Sequence, residues 1–300
     1  MYVDWEYYKI FYYVAKYQNF TRAARVLGNN QPNITHAMNR LESQLNCVLF
    51  IRSNRGVTLT PEGELLYSRI ASAAVQIQDA EEELSASATL EHGAISISAT
   101  ETALNIYLSE KLRAFHTEYP GIRLRISNHS TPQAIQALEN GLVDFAVITT
   151  PIALKKPLQR IPLFSFREIL LGGPEFADIA STPHHLADLQ DIPLVGIGPG
   201  TSTHELYTQF FMRHNLPFSP DMEVATTDQV FPLIQHNLGI GFFPEALAAE
   251  HIAMGKVVQI PLLEALPERK ICLIRNVKRP QSIAARCLEE HLTSHREKAE

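Results

Sequence analysis

Two sets of residues in this chain have types and spacings that could do chemistry. The first is Gln31, Asn33, Thr35, His36, Asn39 and Arg40, lying opposite Ile34, Met38, Leu41 and Leu45, which recur at spacings of four, three and four. Short or planar hydrogen-bonding side chains along one helix face suit the base edges and phosphates of a duplex groove. An ordinary solvated face would carry Glu and Lys instead. The second set comprises hydroxyl clusters: Thr100 with Thr102, Ser130-Thr131, Thr149-Thr150, Thr201-Ser202-Thr203 and Thr226-Thr227. Each lies where an apolar strand ends or a helix begins. Hydroxyls and free N–H groups at helix starts suit a small carboxylate or similar anion. Helix capping alone would account for any single cluster, so their convergence on one cleft is the stronger point. Glu101 and His129 stand beside them, and a carboxylate there would repel an anion or hold an amino group.

Other chemistries find no support. Twelve histidines are present, but His184 and His185 are adjacent and no HExxH or HxH occurs, so no metal site is expected. GxSxG, P-loop and GxGxxG patterns are lacking. The glycines of Gly196-Ile197-Gly198-Pro199-Gly200 have the wrong spacing and an intervening proline. Cys47, Cys272 and Cys287 are far apart and odd in number, which argues against disulfides and zinc and for a reducing compartment. Neither a cofactor nor an enzymatic activity is implied.

The elements that must position the first set read as a compact helical module. Trp5, Tyr8, Phe11, Tyr12 and Ala15 fall at helical spacing over about Asp4 to Tyr17. Thr21 is the expected N-cap of a short helix through Leu27, with Ala23, Ala24 and Leu27 inward. Gly28-Asn29-Asn30 breaks it, and Asn30 caps the third helix with Pro32 in its first turn. Val48–Ile51 and Val57–Leu59 then read as strands flanking a tip that carries Arg52 and Arg55, a basic wing. Residues 1 to 60 hold seven Lys and Arg against three acids, a net +4 in a chain of net charge -6. Only this segment has the sign expected for a phosphate contact.

Phe20-Thr21-Arg22-Ala23-Ala24, Leu27, Gln31-Pro32, Arg40-Leu41-Glu42, Leu45, Leu49-Phe50-x-Arg52, Leu59-Thr60 and Gly63 together resemble the winged helix-turn-helix of LysR-type transcriptional regulators. The resemblance implies double-stranded DNA as a partner. It places Thr21, Gln31, Pro32, Thr35 and His36 at contact positions and Arg52 and Arg55 near the wing. The face described above adds Asn33 and Arg40. Departures from the family pattern are Asn30 and Thr35 for Ser, His36 for Arg and Cys47 for Gly; those at 35 and 36 bear on which base sequence is preferred.

Thr60-Pro61-Glu62 restarts a helix in which Leu66, Ile70, Ala73, Ile77, Ala80 and Leu84 alternate at four and three, a heptad seam suited to pairing with a second chain. After Gly93, strands and helices alternate, as in a parallel sheet covered by helices. Gly93-Ala94-Ile95, Phe115 with Tyr119-Pro120, Gly141-x-x-Asp144 and Gly239-Ile240-Gly241-Phe242-Phe243-Pro244 resemble the effector-binding domain of the same family. The expected architecture is multi-domain α/β. It comprises a winged helix-turn-helix (1–60), a long linker helix (61–92) and a two-lobed periplasmic-binding-protein-like α/β domain (93–300). Lobe one would take about 93–161 and 269–300, and lobe two about 162–268.

With 45% hydrophobic and 19% charged residues, the chain reads as globular, and no apolar run approaches a membrane span. Asp4, Glu6, Lys9 and Lys16 interrupt the N-terminus, which does not read as a secretory signal. The expected protein is a cytoplasmic transcription regulator, a dimer through the linker helix and a homotetramer by further pairing. It would bind a small-molecule effector in the interlobe cleft, and RNA polymerase is a further implied partner. The competing reading is a two-lobed small-molecule binder or a prephenate-dehydratase-like enzyme, with the N-terminal part docking something other than DNA.

Overall fold

A computed structural model describes residues 3–53, 56–85 and 93–294. The chain divides into two compact units, the first holding the described residues up to Ser85 and the second the bulk of those after it.

In the first unit, α1 (Trp5–Tyr17) starts at Asp4, whose carboxylate accepts from Glu6 N–H at 3.0 Å. It buries Ile10, Phe11, Val14 and Ala15. The second helix, α2 (Phe20–Val26), begins earlier than the sequence suggests. Asn19, not Thr21, is its N-cap, accepting from Arg22 N–H at 2.9 Å. Phe20 thereby enters the helix and the core, and Thr21 is left exposed. Gly28, at φ 62°, turns the chain toward α3 (Gln31–Leu45). There Asn30 caps as expected, accepting from Asn33 N–H at 2.9 Å. Ile34, Met38 and Leu41 are fully buried.

Strands β1 (Phe50–Ser53) and β2 (Gly56–Leu59) form the antiparallel wing, with Phe50 opposite Leu59. The first strand starts two residues later than its apolar run, because Val48 is exposed and Glu42 Oε1 takes the amides of Leu49 (2.7 Å) and Phe50 (3.2 Å). The linker helix α4 (Pro61–Ser85) is capped by Thr60, whose Oγ1 accepts from Gly63 N–H at 3.0 Å. Leu66 and Ile70, expected at the pairing seam, pack instead into the core of this unit, so the apolar side available for pairing starts beyond them. Ile77 is 43% exposed. The seam positions Ala80 and Leu84 lie outside the described side chains.

The second unit opens with β3 (Gly93–Ala99), α5 (Glu101–Ala103), a π-helical turn over Leu104–Leu108 and α6 (Ser109–Glu118). Strand β4 (Ile122–Asn128), α7 (Thr131–Asn140), β5 (Phe145–Thr149), β6 (Leu158–Phe166) and β7 (Glu168–Gly172) follow. Then come β8 (Val195–Ile197), α8 (Ser202–Arg213), β9 (Met222–Val224), α9 (Thr227–Gln235), β10 (Gly241–Pro244) and α10 (Glu245–Ala253). Strands β11 (Val258–Ile260) and β12 (Arg269–Asn276) and helix α11 (Ile283–Thr293) complete it.

Lobe one is a five-stranded sheet of order β4-β3-β5-β12-β6, with β3 parallel to β4 and β5 and β12 antiparallel to its neighbours. Strand β6 pairs with β12 along its length, so the chain leaves lobe one at Arg167 rather than near residue 161. Its run from Leu158 to Phe166 is edge strand of the first sheet, not the opening of the second lobe. Lobe two is built on the β10-β7-β11 sheet and the β8-β9 pair, with separate apolar clusters around Phe210 and Phe242 and around Ile234 and Val257.

Candidate functional site

The helix face opposite the α3 core stripe is available. Gln31, Pro32, Asn33, His36, Asn39 and Arg40 are exposed and Thr35 is half-buried. Local bonds organise its first turn: Gln31 Nε2 donates to Thr35 Oγ1 (3.3 Å), and Asn33 Nδ2 donates to Asn29 Oδ1 (3.1 Å). Arg52 behaves differently from a free phosphate contact. Its Nη2 donates to Asn39 Oδ1 at 2.6 Å and lies 3.6 Å from Glu42 Oε2, and the guanidinium sits 5.0 Å from the Phe20 ring centroid. The residue therefore ties the wing to α3 and fixes the angle between them. Arg55, the other basic residue expected at the wing, lies outside the described residues.

The hydroxyl clusters converge in the second unit. A cavity of about 350 Å³ opens between the lobes, lined by Thr100, Glu101, Thr102, Ser130, Thr131, Thr149, Thr201, Ser202, Thr203, Thr226 and Thr227. Sequence reasoning placed every one of these there. Thr150 is the exception: its Oγ1 accepts from Lys270 N–H at 2.8 Å and its carbonyl from Arg269 Nε at 2.9 Å, so it belongs to the strand edge. Asn128, His129, Gln133 and the Gly198-Pro199-Gly200 turn also line the wall. The starts of α5, α7, α8 and α9 all face this space, because each helix follows a strand whose carboxyl end points there. Thr201 caps α8 through His204 N–H at 3.1 Å, whereas Thr226 makes no side-chain cap bond to α9.

That vacant cap is filled from the opposite lobe. Glu101 Oε2 accepts from Asp228 N–H at 3.0 Å, and Glu101 Oε1 from Asn105 Nδ2 at 3.2 Å. Partial burial, followed by a hydrogen bond to the Asp228 carboxyl, pushes the Glu101 carboxyl up to about 7. The Asp228 carboxyl is lowered, chiefly by that same hydrogen bond. Among the described residues no lysine or arginine lines the cavity. No group of three or more His, Cys, Asp or Glu among them could hold a metal ion.

Behind the cavity wall lies a buried network that the sequence reading missed. Arg269 is 1% exposed and donates to Glu168 Oε1 (2.6 Å), Thr149 Oγ1 (3.0 Å) and Thr203 Oγ1 (3.1 Å). Tyr207 OH donates to Glu168 Oε2 at 2.6 Å. The two charges begin β12 and β7, where the connections between lobes pass side by side. The signal was present in outline: a charged pair opens each strand, Arg167-Glu168 ahead of an apolar run at β7 and Arg269-Lys270 at β12.

A winged helix with an open polar face, carried on the same chain as a two-lobed module with a polar cleft, defines a ligand-responsive DNA-binding regulator. The chain belongs to the LysR family of transcriptional regulators. The model for the bacterial regulatory helix-turn-helix of that family matches residues 5–64, and the model for the LysR substrate-binding domain matches residues 88–297. Among characterised relatives, the HTH-type transcriptional regulator BbuR of Bordetella bronchiseptica is 29% identical over 267 residues, 89% of this chain and 81% of its own. The regulator GltR of Bacillus subtilis is 25% identical, covering 83% of this chain and 82% of its own. Among solved structures, CbnR, a LysR family regulator, superposes with a TM-score of 0.76 at 19% identity over 98% of this chain and 100% of its own. CbnR with its target DNA gives 0.74 at 19% identity, over 97% and 99%. The chain is thus a DNA-binding transcription regulator with an effector-binding domain and not an enzyme. No helix among the described residues is long and apolar enough to cross a membrane.

Proposed function

We propose that the protein acts in the cytoplasm as an oligomer on dyad DNA sites and answers to a small carboxylate or amino acid bound between its lobes. The observation that carries the DNA part is the exposed face of α3, with its apolar stripe buried and Gln31, Asn33, His36 and Arg40 outward. Thr21 and Pro32 flank that face at the start of α2 and α3, and Thr35 and Arg52 organise it. A two-fold pair of such modules reads a dyad. Ile77 on α4, together with the Ala73 side, supplies the apolar surface for the pairing, and a second pairing yields the tetramer. The solved complex of CbnR with its target DNA supports the same use of this fold. RNA polymerase is a proposed further partner.

For the effector, the support is the meeting of four helix starts and eleven Thr, Ser and Glu side chains around one cavity. Backbone N–H groups at helix starts attract a carboxylate, and the size suits a small molecule. Effector binding is proposed to draw the lobes together and so reset the spacing of paired DNA modules, altering DNA bend. The test is a thermal-shift screen of small carboxylates and amino acids, repeated on Ser202→Val. A stabilising hit that Ser202→Val abolishes supports the cleft, and a hit indifferent to that change, or a DNA footprint and bend unaltered by it, contradicts the reading.

A further inference from the structure

We propose that Glu101 of lobe one and Asp228 of lobe two share one proton across the cleft, forming a latch that makes closure of the lobes depend on pH. Its bearing on regulation rests on the effector reading above; the latch itself does not. The geometry is specific. Helix α9 has nine residues, and its own N-cap Thr226 makes no side-chain cap bond to it. The acceptor comes instead from 127 residues away in sequence, Glu101 Oε2 on Asp228 N–H at 3.0 Å. Its other oxygen is held by Asn105 Nδ2 at 3.2 Å, so the carboxyl is aimed rather than free. A second cross-lobe contact lies beside it, Thr102 Oγ1 to Thr227 Oγ1 at 3.5 Å.

Two carboxyl groups in hydrogen-bond contact cannot both be ionised without repulsion, and one proton between them converts repulsion into a bond. Neutralising cations are not at hand. No lysine or arginine among the described residues lines the cavity, and Arg269 behind the wall is already paired with Glu168. The other titratable groups on neighbouring elements are few. Strand β5 contributes none, and α9 contributes Asp228. His129, between β4 and α7, is bonded through Nδ1 to Ser98 Oγ at 2.9 Å, and His204 of α8 through Nδ1 to the Ile197 carbonyl at 2.9 Å. Glu223 of β9 lies against Gly198. The π-turn carries Tyr107, and α10, which packs on that turn, carries Glu245, Glu250 and His251, the last tilted against the Phe231 ring. The π-helical turn that follows Glu101 is itself a common feature of functional sites.

The sign follows from the raised Glu101 carboxyl. The closed latch binds its proton up to about pH 7, whereas an opened cleft releases it near the ordinary carboxylate value of 4.5. Closure is therefore favoured below about 4.5, weakens as the pH rises toward 7, and gains nothing from the proton above that. Asp228, lowered, moves stability only at pH below its ordinary value of 3.8, outside this window.

Hydrogen exchange of the full-length protein, read by mass spectrometry in non-carboxylate buffers and corrected for intrinsic rates, tests the latch. In the wild type the opening equilibrium reported by the Asp228 amide segment rises about fortyfold between pH 5 and pH 7. Glu101→Gln can still accept from Asp228 N–H and donate to its carboxylate, so its exchange is protected and flat across that range. Asp228→Asn, which leaves one carboxyl, makes the profile shallower without flattening it, because burial alone still raises Glu101, and Glu101→Ala is unprotected at every pH. Wild type and Glu101→Gln following the same pH profile would overturn the proposal, as would a flat wild type. No effector is present, so failure here leaves the carboxylate reading intact, and a cavity indifferent to every carboxylate leaves the latch intact.

Discussion

Replacing Arg269 by Met removes the charge that holds the two lobe connections together at the back of the cleft. The structure sets the size of the effect. The guanidinium is 1% exposed, and the change deletes its bonds to Glu168, Thr149, Thr203 and the Thr150 carbonyl. Glu168, 5% exposed, keeps only the Tyr207 hydroxyl among these partners. Breaking a buried ion pair by removing one member costs about 3–5 kcal/mol, since the remaining charge is left unneutralised. For a unit of roughly 200 residues, each kcal/mol lowers Tm by roughly 2–4 °C. Scanning calorimetry of the full-length protein should therefore show a drop of about 6–20 °C in the transition of the second unit. The transition of the first unit, whose core shares no residue with this network, should stay in place. Replacing all three members together, Arg269→Met with Glu168→Leu and Tyr207→Phe, should recover much of the loss, because an apolar substitute for a buried pair is often neutral or better. A single variant that loses under about 1 kcal/mol, or a triple variant as unstable as the single, would refute the reasoning.

Four further outcomes are expected. Asn19→Ala loses a cap and costs about 1 kcal/mol in denaturant unfolding. Thr21→Ala stays within about 0.5 kcal/mol of the wild type yet weakens duplex binding in a fluorescence titration, which separates the cap from the contact. Gly63→Ala places a Cβ 2.2 Å from the Leu49 carbonyl oxygen, so backbone must move; unfolding measurements should show a loss of about 1–3 kcal/mol. Ile77→Asp puts a charge on the exposed apolar side of α4, and light scattering should show smaller assemblies at a given concentration while the circular dichroism is unchanged.

Periodicity and turn chemistry made most of this architecture readable. The α3 stripe, the Asn30 cap and the Thr60 cap depend on neighbours within four residues, and all three stand where the spacing put them. What escaped depended on partners far away in the chain. Thr21 and Asn19 are both good caps, and the choice between them was made by Phe20, which must enter the core. Only Arg167 separates β6 from β7, with no turn residue between them, and only the pairing of β6 with β12 shows that the first lobe retains it through Phe166. The hydroxyls of the cavity were legible because ligands of such sheets meet strand ends and helix starts, a rule of topology rather than of particular contacts. Arg269 and Glu168 lie 101 residues apart, and nothing local says that two charges at strand starts will neutralise each other. Arg52 is similar: its basic character was plain, but its commitment to Asn39, Glu42 and Phe20 needed the wing folded against α3.

The central claim, that the open face of α3 reads the duplex, is tested most directly by selecting bound sequences from a randomised duplex pool with the full-length protein, then repeating the selection with His36→Ala and Arg40→Ala. The account predicts a preferred dyad sequence, bound with an affinity that falls steeply with salt. Arg40→Ala should weaken all sequences alike. His36→Ala should change the preferred bases at one position of each half-site, by about 1–3 kcal/mol of discrimination. Identical preferences and affinities for all three proteins, with the fold intact, would contradict it.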